Sequence, residues 1–251
     1  MQSLIVGNWK MFKTVREAEL FARRLVAELE IIPGREVIIA PAFPALYAVA
    51  AVLKGSAIKL AAQNVHDQVQ GAFTGEVSAG MLIDAGCEYV IIGHSERRTF
   101  FRETNDLINR KLSAAIAQGL RPILCIGETL AEREQGATLS VIAGQIKEGL
   151  KNIDLGDIGN TAIAYEPVWA IGTGKTATPE QAQEVHAFIR NTLESVYGKE
   201  LAGKLRIIYG GSVNSGNIER LMSEKDINGA LVGGASLDIE SFSEIVKYKE
   251  V

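Results

Sequence analysis

The chain has 251 residues, of which 47% are hydrophobic and 22% are charged, and its formal net charge is −4. This is an ordinary globular composition, and its acidic balance argues against a nucleic-acid partner, which would require a basic face. The apolar runs are shorter than a membrane span and the N-terminus lacks a signal-peptide pattern, so we expect a cytoplasmic protein without a membrane partner.

Short apolar runs recur about every 32 residues, the size of a strand-plus-helix unit. They lie at 4–7, 36–40, 58–61, 89–92, 121–125, 161–165, 205–209 and 229–232. Helical patterns separate them, and no linker or low-complexity segment interrupts the chain. The alternation predicts an α/β fold, a (β/α)8 barrel forming one domain over residues 1–251, with a doubly wound open sheet as the structural alternative.

Three of the helical patterns are clear, at 15–29, 107–116 and 183–193. In the first, the spacing places Leu20, Phe21, Leu25 and Leu29 on one face. The third is preceded by Thr178-Pro179-Glu180-Gln181, in which a Thr cap, a Pro in the first turn and a Gln three residues after the cap predict a helix start.

Polar residues follow several of the predicted strands, and in a barrel those strand ends converge on one face. Asn8 and Lys10 follow the first run, although a lone Lys in this position is usually surface charge. A long polar segment at 64–80 follows the third run and on its own would be interpreted as a surface loop.

The fourth run is followed by His94, and a helix is predicted to begin immediately after it with Ser95 as its cap. Backbone N–H groups at this helix start would keep one ring nitrogen unprotonated and lower the pKa of His94, leaving it neutral at pH 7. Glu96 is predicted to brace Lys10 or the helix start. A structural histidine is the alternative interpretation.

Cys125 and Glu128 follow the fifth run, and we interpret Cys125 as a small buried hydrophobe. The only other cysteine, Cys87, is far away in sequence and the two lack metal-ligand spacing. Cysteine usage therefore indicates a reducing compartment or indifference to redox conditions.

A single carboxylate, Glu166, ends the sixth run and is followed by the stiffening residue Pro167, an apolar tip at 168–171, and Gly172 and Gly174. A stiff apolar segment between flexible ends suits a lid that closes over Glu166 and excludes water. The alternative for Glu166 is a solvated charge.

Two nucleotide-binding motifs partly match the same segment. A P-loop would need glycine at position 169, which is Trp169. The dinucleotide pattern G-x-G-x-x-A matches 172–177, but it does not follow a strand directly, as that motif requires.

The seventh and eighth runs end in Gly210-Gly211-Ser212 and Gly233-Gly234. Paired glycines can mark nothing more than a tight turn. In a barrel, however, the loops after these two strands commonly form a phosphate site from backbone N–H groups. Together with Gly172 they predict an anion site in a chain that lacks an arginine cluster.

Six segments resemble those of the triosephosphate isomerase family, in that family's order and over essentially the whole chain. They are 7–10, 93–98, 125–128, 164–177, 209–213 and 231–235. The resemblance implies interconversion of glyceraldehyde 3-phosphate and dihydroxyacetone phosphate without a metal or organic cofactor. It also implies that Lys10, His94 and Glu166 are catalytic, with Glu166 as the base.

The same resemblance implies substrate binding by Asn8, Lys10, Gly172, Ser212, Gly233 and Gly234, with Glu96 and Cys125 in support. It further implies a homodimer in which Thr74 of the 64–80 segment approaches the partner's site. Phe12 stands where the family more often has Asn, near the subunit contact.

Two other functions remain open at this point. One is a different phosphate-binding barrel enzyme, such as a sugar-phosphate epimerase or another isomerase, and the other is a non-catalytic binding protein with the same fold.

Overall fold

The computed structural model describes residues 1–29, 31–171 and 176–249. Eight parallel strands close into a barrel in chain order, and the last strand pairs with the first. They are β1 (Ser3–Asn8), β2 (Arg35–Ala40), β3 (Lys59–Ala62), β4 (Tyr89–Ile92), β5 (Arg121–Ile126), β6 (Ala162–Tyr165), β7 (Arg206–Tyr209) and β8 (Gly229–Val232). The predicted barrel is confirmed, and each predicted run matches a strand to within one residue at either end. An open sheet is excluded by the pairing of β8 with β1.

Helices lie between the strands and cover the outside of the barrel. They are α1 (Val15–Glu28), α2 (Leu46–Leu53), α3 (Ala79–Asp84), α4 (Ser95–Phe100), α5 (Asn105–Ala117), α6 (Leu130–Glu134), α7 (Thr138–Gly149), α8 (Leu155–Ile158), α9 (Pro179–Tyr197), α10 (Lys199–Ala202), α11 (Ile218–Met222) and α12 (Ile239–Val246). Short 3₁₀ helices occupy Phe43–Ala45, Val168–Ala170 and Gly234–Leu237.

The three helices predicted from sequence are confirmed as α1, α5 and α9, and α9 begins with the predicted Thr178–Gln181 capping box. Leu20 does not share the buried face of Phe21, Leu25 and Leu29 as predicted, because its side chain is 54% exposed. The buried stripe of α1 instead has the helical spacing i, i+3, i+4 and i+7. Its members are Ala18, Phe21, Ala22 and Leu25.

Strand side chains alternate between two apolar layers. Leu4 and Val6 of β1 belong to the cluster inside the barrel, whereas Ile5 joins the larger cluster between the barrel and its helices. Parallel strands covered on both faces are buried on both sides, which is why the sequence showed continuous apolar runs.

The two ends of the barrel differ in chemistry. At the amino ends of the strands, the carboxylate of Glu36 accepts a hydrogen bond of 2.8 Å from Tyr89 Oη and is paired with Arg206. These groups close that end, so the carboxyl ends of the strands are left to build a site. Among the described residues, no helix is both long and apolar enough to cross a membrane.

Candidate active site

A cavity of about 400 Å³ lies at the carboxyl ends of the strands. Most of the residues proposed from sequence line it: Asn8, Lys10, His94, Glu166, Ser212, Gly233 and Gly234. Gly172, which was also proposed from sequence, lies outside the described residues. A larger cleft of about 870 Å³ at the opposite end of the barrel, beside α9 and α11, contains none of the proposed residues.

Glu166 is positioned by a continuation of the strand ladder beyond β6. Its N–H donates to Ile126 O at 2.7 Å, and Gly210 N–H donates to Tyr165 O at 2.7 Å. The neighbouring glycines make room: a Cβ on Gly127 would lie 1.7 Å from Glu166 O, and one on Gly210 would lie 2.8 Å from Glu166 Cγ. Glycine is therefore needed on both sides of the acid.

The carboxylate of Glu166 is buried, and each of its two oxygens contacts a polar group. Oε2 accepts the N–H of Ser95 at 2.9 Å, and Oε1 lies 3.0 Å from His94 Nε2. Burial raises the pKa of Glu166, but the contacts with His94 and the Ser95 N–H outweigh it and leave this pKa below its ordinary value. The arrangement stabilises the anion.

His94, and not the predicted Ser95, caps α4. The His94 backbone is not helical, with ψ of 141°, and its Nδ1 accepts the N–H of Glu96 at 3.2 Å. Ser95 is the first helical residue, and its N–H is the one that binds Glu166. The sequence prediction failed because it relied on the general preference for Ser at caps, whereas here the imidazole takes that role.

The predicted lowering of the His94 pKa is also wrong. Burial does lower it, but the carboxylate of Glu166 outweighs burial and raises the pKa of His94 above its ordinary value. The predicted hydrogen-bonding pattern is nevertheless present. Nδ1 is an acceptor, so Nε2 is the nitrogen that carries the proton toward Glu166.

Lys10 occupies the loop after β1 in a left-handed conformation, with φ of 52°. Asn8 Oδ1 accepts the Lys10 N–H at 3.0 Å, and Gln63 Nε2 donates to Lys10 O at 2.8 Å. The ammonium group is 2.5 Å from Glu96 Oε1. These contacts hold a non-glycine residue in an unfavourable backbone region, so the position of the charge is strongly determined.

An anchor below the predicted lid was not expected from the sequence. Glu128 is completely buried, and its carboxylate accepts hydrogen bonds from Trp169 Nε1 at 2.9 Å and from Tyr165 Oη at 3.1 and 3.2 Å. Arg133 Nη1 pairs with it at 3.1 Å. The residues on either side of Glu166 are thus tied to one carboxylate. The available signal was an acid placed directly after a buried strand.

Glycines and hydroxyls shape the other wall of the cavity. Ser236 N–H and Oγ both donate to Gly233 O, at 2.8 and 2.7 Å, which fixes the turn into the 3₁₀ helix Gly234–Leu237. A Cβ on Gly233 would lie 3.3 Å from Lys10 Cε, so glycine lets the lysine stem pass closely. Ser212 Oγ donates to Ala170 O of the lid at 2.7 Å.

Cys125 is a free, fully buried thiol inside the barrel. Burial raises its pKa well above the ordinary value, and the nearby Glu166 carboxylate adds to this, so the thiol stays protonated. Within the described part of the chain, no group of three or more His, Cys, Asp or Glu side chains is arranged to hold a metal ion.

Comparison with known proteins identifies relatives along the whole chain. The family model for triosephosphate isomerase matches residues 3–249. The triosephosphate isomerase of Carboxydothermus hydrogenoformans is 56% identical over 243 residues, or 97% of each chain. Those of Endomicrobium trichonymphae and Chloroflexus aurantiacus are 54% and 53% identical over 247 and 246 residues, in each case 98% of both chains.

Proposed function

The chain belongs to the triosephosphate isomerase family, and we propose that it interconverts D-glyceraldehyde 3-phosphate and dihydroxyacetone phosphate by proton transfer through an enediol(ate). Membership of this family makes it an enzyme of glycolysis. One observation supports the mechanism most strongly: Lys10, His94 and Glu166 line the same cavity of about 400 Å³ as two pairs of glycines. This combination suits a small phosphorylated carbonyl compound.

Glu166 is the base. It removes a proton from the carbon next to the carbonyl and returns a proton to the adjacent carbon. Its buried position suits this role, because loss of the His94 and Ser95 contacts would leave burial, which raises the pKa of the carboxylate, opposed only by the charge of Lys10. Turning from these partners toward a substrate carbon therefore makes Glu166 a stronger base.

His94 and Lys10 stabilise the negative charge that develops on the substrate oxygens. The Nε2–H of His94 donates to those oxygens, while the Glu96 N–H keeps Nδ1 an acceptor. The main contact that raises the pKa of His94 disappears once Glu166 turns away, and burial, aided by the charge of Lys10, then favours the neutral ring against the weaker influence of Glu96. A neutral imidazole can shuttle protons between the two oxygens.

The phosphate binds at the glycine side of the cavity, through backbone N–H groups near Ser212, Gly233 and Gly234, with Gly172 of the lid joining them. Asn8 orients the loop of Lys10 through its hydrogen bond to the Lys10 N–H. Closure of the lid excludes water, which protects the enediol(ate) from losing its phosphate. Because the phosphate does not react, its binding energy contributes to the rate by driving closure.

The active form is a cytoplasmic homodimer in which the Thr74 loop of one copy reaches the site of the other. In support, a second cavity of about 390 Å³ adjoins the site and shares Asn8, Lys10 and His94 with it. Its rim includes the apolar side chains of Met11 and Phe101, which are 93% and 65% exposed in the single chain. Sedimentation that found a fully active monomer would contradict this assembly.

A coupled assay with glyceraldehyde 3-phosphate tests the function. We expect turnover that a chelator does not diminish. Turnover abolished by chelator, or activity only on a pentose phosphate, would indicate a different phosphate-binding barrel enzyme. Phosphate binding without turnover of any sugar phosphate would indicate a binding protein.

A further inference from the structure

Lys13 is a partly buried lysine outside the cavity that no step above uses. It lies three residues after Lys10 and also has a left-handed backbone, with φ of 71°. Its Nζ donates to Leu237 O at 3.1 Å. Two left-handed lysines in one short loop require contacts that offset the strain, and the ammonium of Lys13 provides such a contact.

The charge of Lys13 is held mainly by aromatic rings and a carbonyl. Nζ lies 3.9 Å from the ring centroid of Phe21 and 5.7 Å from that of Trp9. Among the described residues, no carboxylate oxygen forms a salt bridge with it. Burial lowers the pKa of Lys13, against the opposing fields of Glu17 and Asp238. Cation–π contacts are directional, so this cage defines a position for the ammonium group.

The hydrogen bond to Leu237 O connects the loop after β1 with the 3₁₀ helix after β8, in addition to the hydrogen bond of 3.4 Å that Ser236 Oγ donates to Asn8 O. Leu237 is the last residue of the 3₁₀ helix Gly234–Leu237, whose final carbonyls have no partner within the helix. On the other side, Trp9 and Phe21 belong to β1's loop and α1. Phe12 precedes Lys13 in the chain, and Leu237 accepts its hydrogen bond. Both residues line the 400 Å³ cavity, so Lys13 is connected to the site on two sides.

We propose that Lys13 is a positioning residue that sets the spacing between the Lys10 loop and the glycine wall formed by Gly233 and Gly234. The spacing is tight, because a Cβ on Gly233 would already lie 3.3 Å from Lys10 Cε. Loss of the Lys13 link lets the 3₁₀ helix move relative to Lys10. Phosphate can then no longer contact the Lys10 ammonium and the N–H groups of the glycine wall at the same time. This inference rests on the proposed function, since it assigns the glycine wall to phosphate.

The test compares Lys13→Met with Lys13→Arg. Methionine keeps an unbranched apolar stem but removes the donor and the charge. Arginine keeps both and stacks well on aromatic rings. Lys54→Met is the matched control, because Lys54 is exposed at the end of α2, at the opposite end of the barrel, and the variant has the same net charge as Lys13→Met.

Inorganic phosphate is the probe, with its Kd measured by calorimetry alongside kcat and KM for glyceraldehyde 3-phosphate and urea unfolding. For Lys13→Met we expect the phosphate Kd and the KM to rise about tenfold, as for one lost charged hydrogen bond, with a smaller fall in kcat. For Lys13→Arg, both values should lie within about threefold of the wild type. In free energy, this difference is less than half of that expected for one lost charged hydrogen bond. Lys54→Met should match the wild type.

A Lys13→Met protein with lower stability but unchanged phosphate Kd and KM would overturn the proposal, because Lys13 would then be only structural. So would an arginine variant as impaired as the methionine variant. If the wild type binds phosphate but does not turn over the triose, the proposed function fails. The phosphate affinities of the three variants still decide the role of Lys13.

Discussion

Oε1 of Glu166 lies 3.0 Å from Nε2 of His94. Each group shifts the pKa of the other away from its value for burial alone: the carboxyl downward and the imidazole upward. The two proposed catalytic groups therefore stabilise each other in the absence of substrate, the carboxylate as an anion and the imidazole as its hydrogen-bond donor. Under the proposed mechanism, substrate must separate them before either can act.

Shortening Glu166 to Asp should lower kcat about 100-fold, because withdrawing the carboxylate by one methylene misplaces it by about 1 Å. KM should change little, since the phosphate contacts are unaffected. Steady-state kinetics measure both constants. Glu166→Ala provides the stronger test, and normal turnover in that variant would refute the assignment of Glu166 as the base.

Gly210→Ala should affect catalysis through the same acid. The new methyl group would lie 2.8 Å from Glu166 Cγ, so the side chain must shift. We expect kcat to fall about 100-fold and the free energy of unfolding to fall by about 1–3 kcal/mol. Gly144→Ala in α7, where a Cβ meets nothing within 4 Å, is the control and should be neutral or slightly stabilising. Equal kcat values for the two variants would contradict the steric argument.

Glu128→Gln should destabilise the protein by about 3 kcal/mol, because the buried partner of Arg133 loses its charge. Its hydrogen bonds from Tyr165 and Trp169 become weaker, so kcat should also fall. Urea unfolding and kinetics measure the two effects. Glu134→Gln, an exposed residue of the same helix region, should change stability by less than about 0.5 kcal/mol. Unchanged stability and kcat in Glu128→Gln would show that this carboxylate does not anchor the lid.

His186 should make stability depend on pH. It is fully buried between Tyr165 and Tyr209, at ring-centroid distances of 5.8 and 6.3 Å. Burial lowers the pKa of His186 from 6.5 to about 4. As the pH falls below 6.5, the unfolded chain binds a proton that the folded protein excludes. The stability contribution is therefore complete above pH 6.5 and is lost as the pH falls toward 4.

Between pH 7 and pH 5 this residue alone should lower the free energy of unfolding by about 2 kcal/mol. The His186→Phe variant keeps an aromatic ring but should lack that component, which urea unfolding at the two pH values measures. A wild type and a His186→Phe variant with the same pH dependence would contradict the assignment.

The barrel could be predicted because it depends on pattern. Strands covered on both faces produce continuous apolar runs, and their regular spacing implied parallel strands with crossover helices. The positions of Lys10, His94 and Glu166 after three different strands then implied a common face. The parts that failed depend on tertiary contacts. His94 caps α4 instead of Ser95, and its pKa rises because Glu166, 72 residues later in the chain, contacts it.

Residues that act through others were hardest to infer. Glu128 was noted only as an acid after a strand, although it binds Tyr165, Trp169 and Arg133. The sequence pattern of α9 does not single out His186. Their roles depend on complete burial, which a local pattern does not reveal for a single charged or polar residue.

The hydrogen bonds to Glu128 limit how the carboxylate of Glu166 can move. Tyr165 and Trp169 flank Glu166, and both are bound to that one group, while Val168 N–H donates to Glu128 O at 3.1 Å. These hydrogen bonds hold the main chain in place before and after Glu166. While these hydrogen bonds hold, the backbone on both sides of Glu166 cannot shift. The Glu166 carboxylate can then reach a new position only by rotation about its own side-chain bonds.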